Sequence, residues 1–112
     1  SKYYDDAVNR MTYLMNKIAE HELFVARYYM KINAYVAAIN RSQYVLDNYP
    51  QTAHQEEALV ILISGYENMG ITDLQNDAER ILALNFPNSD FDQQKIKQNK
   101  REWWKFWDSL YD

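Results

Sequence analysis

The chain has 112 residues, two Gly, two Pro and no Cys, carries a net charge of −4, and is 47% apolar by residue count. These values describe one soluble-type domain that hides roughly 65% of its extended surface without metals or crosslinks. They exclude a disulfide scaffold, a Cys-ligated zinc site and a thiol nucleophile, disfavour turn-rich sandwiches and barrels, and argue against a nucleic-acid partner. Ten Tyr, four Phe and three Trp are the compositional outlier. No apolar run approaches the roughly 18 residues of a membrane span, and no basic start leads into an apolar signal segment.

From Tyr4 to Ile32 there is neither Gly nor Pro, and Ala7, Met11, Leu14, Ile18, His21, Val25, Tyr28 and Ile32 recur at steps of four and three. This spacing predicts one long amphipathic helix whose buried stripe holds those residues, with a break near Ala19 as the alternative. Asn33 is expected to close it, because Asn tolerates the left-handed backbone found at helix ends. Residues 34–49 read as a second helix with Ala34, Ala37 and Ala38 allowing close approach, and Pro50 stops it. Thr52 with Gln55, and later Thr72 with Gln75, have the capping-box spacing and predict the starts of a third and a fourth helix. Gly70 ends the third and Pro87 the fourth. Ser89 with Asp92 predicts a fifth running to the end through Ile96, Trp103, Trp107 and Leu110. Nothing alternates with the period of a strand, so the fold class is all-α.

Aligning the two prolines exposes a repeat at an offset of 37 residues. Val25 matches Leu62, Tyr29 matches Tyr66, Val45 matches Leu82, Tyr49-Pro50 matches Phe86-Pro87, and Thr52 matches Ser89. Ala26, Tyr29, Ala38, Val45 and Pro50 fall at the small, aromatic, small, apolar and Pro positions of a tetratricopeptide repeat; Ile63 and Gln75 make the second copy the weaker one. The expected organisation is a single domain over 1–112: a helix pair over 1–50, a second over 52–87, and a C-terminal helix over 89–112. Such units bury their apolar faces on neighbours, and two and a half of them are marginal alone. A chain that starts at Ser1 without Met or a cap is expected to be the C-terminal portion of a longer solenoid.

The run Met11-Thr12-Tyr13-Leu14, Ile18-Ala19-Glu20-His21-Glu22-Leu23, Val25-Ala26-Arg27-Tyr28-Tyr29, Ala34-Tyr35-Val36-Ala37-Ala38, Asn40-Arg41, Tyr49-Pro50-Gln51-Thr52 and Glu57-Ala58-Leu59 resembles the BamD (ComL) family. These are tetratricopeptide lipoproteins of the outer-membrane β-barrel assembly (BAM) machinery. The resemblance covers about residues 3 to 89, and the last 20 residues depart from it. It implies a noncatalytic scaffold on the periplasmic face of the outer membrane, held by a lipid on an upstream Cys. It further implies that C-terminal repeats dock the last periplasmic (POTRA) domain of BamA and small accessory lipoproteins, with Arg41 where the family carries an Arg that pairs with an acidic group.

Several residues are candidate sites. Arg41 precedes buried-looking Ser42 and is placed to offer a two-pronged bond to a partner carboxylate, or to pair within the chain. Asn40, Tyr44 and Tyr35 are expected to accompany it, while Tyr29, Tyr49 and Tyr66 read as packing. His21 reads as a packing residue on the apolar stripe. Two His without HExxH spacing make no metal site, and no cofactor is expected. Asp5-Asp6 and Glu56-Glu57 read as charges complementing helix starts. No nucleophile has a paired base, so the chain is not expected to be an enzyme. In the tail, Lys95, Lys97, Lys100, Arg101 and Lys105 surround Glu102 beside Trp103, Trp104, Phe106 and Trp107. That segment fits a cap on the repeats, a partner contact through Trp103, Trp104 and Trp107, or a membrane-surface helix. The rival function is a generic repeat adaptor holding a peptide in a groove lined by Tyr28 and Tyr35.

Overall fold

A computed structural model of the protein describes residues 1–50 and 53–89. Four helices follow in order among them: α1 (Lys2–Lys31), α2 (Tyr35–Asn48), α3 (Gln55–Met69) and α4 (Thr72–Asn85). No strand occurs among the described residues. The predicted fifth helix, with Trp103, Trp104 and Trp107, and Thr52 of the first capping box lie outside the described residues.

α1 is one unbroken helix of 30 residues, about 45 Å long. Ser1 is its N-cap, its hydroxyl accepting from the Tyr4 N–H at 3.2 Å. Asn33 closes it in the left-handed region at φ 63°, with Ala34 N–H bonded to the Tyr29 carbonyl and Asn33 N–H to the Met30 carbonyl. Gly70 repeats this turn after α3 at φ 72°, with Ile71 N–H on Tyr66 O and its own N–H on Glu67 O. Both are Schellman closures, which satisfy carbonyls that a helix end would otherwise leave bare.

The 37-residue offset is thus a backbone repeat as well as a sequence one. Asn33 and Gly70 are 37 apart, and so are the starts and the ends of α2 and α4. The C-caps Tyr49 and Phe86 share φ near −130° and each bonds back to the carbonyl four residues earlier, Val45 and Leu82. Two helical hairpins, α1–α2 and α3–α4, stack with α2 packed on α3, the arrangement of a tetratricopeptide solenoid.

Two clusters make the core. Ala19, Leu23, Ala26 and Met30 of α1 meet Ala38 and Val45 of α2 and Ala58 and Ile61 of α3, with Tyr29, Tyr35 and Tyr49 against them. Leu59, Val60, Leu62 and Ile63 of α3 meet Ala78 and Leu82 of α4, joined by Tyr66 and Phe86. Gly65 lets α2 and α3 approach: a Cβ there would fall 2.6 Å from Ile39 Cγ1.

Several expectations are corrected. The buried series of α1 is Ala19–Leu23–Ala26–Met30, whereas Met11, Leu14, Ile18, His21, Tyr28 and Ile32 of the predicted stripe are exposed. Both series run at steps of three and four, and the small Ala side chains that let α2 close in select the first. Residues 1–15 are exposed on every side. The Thr72–Gln75 capping box does not form. α3 starts at Gln55 behind His54 and has no side-chain cap, Gln55 reaching back to the Pro50 carbonyl instead. Thr72 lies inside α4, because the Schellman turn leaves only Gly70 and Ile71 between the helices; Gln75 is buried and donates to Glu79 at 3.2 Å.

Candidate functional site

Along α2, residues separated by three and four share a face. The buried side is taken by Ala38, Ser42 and Val45. Asn40 and Tyr44 fall on the opposite, exposed side, Tyr44 being half exposed, while Arg41 lies on the flank of the helix, between that side and α1. Tyr35 is set apart from them: it is half-buried, packs on the first core cluster, and its hydroxyl donates to Asn33 Oδ1 at 2.9 Å. A shallow depression lined by Tyr35, Val36, Ala37, Asn40 and Met69 joins the start of α2 to the end of α3, and Arg41 and Tyr44 stand beside it on the next turn.

Arg41 is held from inside the hairpin. Its Nη1 lies 2.8 Å from Glu22 Oε2 of α1; the Arg41 side chain is 44% exposed and that of Glu22 only 15%. The bond and charge of Glu22 raise the Arg41 pKa above its ordinary value, with Tyr29 adding to them. Tyr44 and Tyr49 pack edge-on at 6.0 Å. Burial, the Tyr44 hydroxyl and the nearby Glu22 charge raise the Tyr49 pKa. Glu22, Tyr29, Arg41, Tyr44 and Tyr49 therefore form one polar and aromatic cluster at the α1–α2 edge. Composition flagged the Tyr residues, but Glu22 was legible only as a neighbour of His21.

A second ionic feature lies deeper. Arg27 of α1 and Glu57 of α3 are both at most 3% exposed and are hydrogen-bonded, so Glu57, which lies in the first turn of α3 as expected, also ties one hairpin to the other. Among the described residues Glu57 Oε2 has no hydrogen-bond partner, and it lies 3.9 Å from His54 Nδ1. Burial lowers the His54 pKa below 6.5. Glu56 accepts from the Ser89 hydroxyl, which joins the end of α4 to the start of α3. Among the described residues no cluster of three His, Cys, Asp or Glu side chains is placed to hold a metal, and no helix is long and apolar enough to cross a membrane.

The stacked hairpins, their shared turn geometry and an outward-facing ionic cluster define a member of the tetratricopeptide class. The chain belongs to the family described as "YfiO: Outer membrane lipoprotein", which its residues 1–82 match. It is 41% identical over 107 residues to the outer membrane protein assembly factor BamD of Neisseria meningitidis serogroup A, covering 96% of this chain and 40% of that protein. It is 41% identical over 85 residues to the Haemophilus influenzae protein of that name (76% and 32%) and 36% identical over 85 to that of Vibrio cholerae (76% and 35%). The chain thus spans about 40% of the length of the Neisseria relative and less of the other two. The family model ends at residue 82 and the Haemophilus and Vibrio matches cover 85 residues, whereas the Neisseria match covers 107 of the 112.

Proposed function

We propose that the chain is a noncatalytic docking scaffold in outer-membrane β-barrel assembly, working on the periplasmic side of the outer membrane as part of a lipid-anchored protein. Its partners are the last periplasmic (POTRA) domain of BamA and the accessory lipoproteins, engaged through Arg41, Asn40 and Tyr44 of α2, with Tyr35 bordering the same surface. The name of the relatives supports the process. The observation that carries the site is Arg41: a side chain 44% exposed at the α1–α2 edge, already held by the less exposed carboxylate of Glu22. An Arg so placed can give a partner carboxylate a bidentate bond.

The test is calorimetric titration of the chain with the last periplasmic domain of BamA. Removing one member of a docked charge pair costs about 2–5 kcal/mol, so Arg41→Gln is expected to weaken binding at least about thirtyfold with helicity unchanged. Arg41→Glu is a poorer choice, since it sets two carboxylates against each other at the Glu22 position. Unchanged affinity of Arg41→Gln overturns the reading.

A further inference from the structure

We propose that Glu22 is a positioning residue for Arg41, present to hold the guanidinium ready for an external carboxylate rather than to stabilise the hairpin. The inference rests on the docking role of Arg41 and adds a residue on a different helix to it.

The repeat itself supplies the argument. Because the backbone of the second hairpin follows that of the first at an offset of 37, it shows what the architecture requires at each position. Glu22 corresponds to Leu59, Arg41 to Ala78, Tyr44 to Ile81 and Tyr49 to Phe86. Every polar member of the cluster except Tyr29, whose counterpart is Tyr66, is replaced by an apolar residue. Leu59 and Ala78 are 3% and 5% exposed and belong to the second core cluster. A hairpin of this geometry therefore closes without an ion pair at these positions, and the pair in the first hairpin is an addition to the architecture.

Its geometry suits holding rather than blocking. The Glu22 carboxylate is the more buried partner, anchored between the helices, and it engages Nη1. A guanidinium has five donors in a planar fork, so one bond to Glu22 and a weaker contact from Tyr29 leave donors for a second carboxylate. An Arg on a flexible stem loses freedom when it is captured; one already fixed by Glu22 has lost it beforehand, which favours the complex.

The experiment measures dissociation rates of the 112-residue chain from the last periplasmic domain of BamA by surface plasmon resonance, alongside thermal melts. Glu22→Leu copies the residue of the second hairpin and is expected to keep the melting temperature while dissociating about tenfold faster. Glu22→Gln restores an oxygen to Nη1 and is expected to recover most of that loss, to within about threefold of the unaltered chain. In an Arg41→Ala background, Glu22→Leu is expected to have no further effect. Wild-type dissociation by Glu22→Leu overturns the proposal, and so does an equal further loss in the Arg41→Ala background, because Glu22 would then touch the partner itself. If Arg41→Ala alone leaves binding unchanged, the docking reading fails first, a result distinguishable from either.

Discussion

The Arg27–Glu57 pair is the sharpest point at which stability can be interrogated. Both side chains are essentially out of solvent and they join α1 to α3, elements that otherwise touch sparingly. Taking one of two buried charges away strands the other in a low-dielectric site, at a cost of about 3–5 kcal/mol, whereas replacing both with apolar residues of similar volume is neutral or stabilising. A domain of this size has roughly 5–15 kcal/mol in total. Arg27→Met or Glu57→Leu alone should therefore remove about a fifth or more of the stability and lower the melting temperature by about 12–20 °C, at about 4 °C per kcal/mol for this length. The double variant should return to within about 1 kcal/mol of the parent. Urea unfolding followed by far-UV circular dichroism, run as a double-mutant cycle, measures all four states. If the double variant loses the sum of the two single losses, the two side chains are independent and the account of a coupled buried pair is wrong.

Gly65→Ala gains helix propensity of about 1 kcal/mol but forces Ile39 Cγ1 away from a contact of 2.6 Å, for which overpacking typically costs about 1–3 kcal/mol. Melting should occur several degrees lower, and adding Ile39→Ala should be less harmful in that background than in the parent. For pH, the His54 pKa is depressed, mainly by burial, with Lys17 and Arg27 depressing it further and Glu20 opposing them. The unfolded chain then binds the proton more readily, so stability falls as pH drops below the unfolded value of about 6.5. Melts at pH 7.5 and 5.5 should differ less in His54→Asn than in the parent.

The parts of the fold written in local chemistry were readable from the chain. Asn33 and Gly70 announce left-handed closures, Pro50 and Pro87 bar continuation, and one offset relates the hairpins. The buried face of α1 was not readable, because two series with the same periodicity compete and only the closeness of α2 decides between them. Glu57 looked like a first-turn acid, and its partner lies 30 residues away on another helix. The capping box at Thr72 failed because the turn before α4 takes its bonds from the backbone. For the candidate site, Arg41 was legible through its place after small residues and through family resemblance. Glu22 was not, since its role exists only when α1 and α2 lie side by side.

α1 is one helix geometrically but two thermodynamically. Residues 19–30 share the core, whereas residues 2–15 are supported among the described residues by little beyond their own hydrogen bonds, and a segment of that length is marginal alone in water. Opening free energy should therefore climb along the helix, from nearly nothing at its start toward the global value at Leu23 and Met30. Any neighbour that covers Tyr4, Val8, Met11 and Met15 would lengthen the cooperative unit by about four turns. By mass action it would stabilise the same helix that carries Glu22, so occupancy at one end of α1 would be felt at the other.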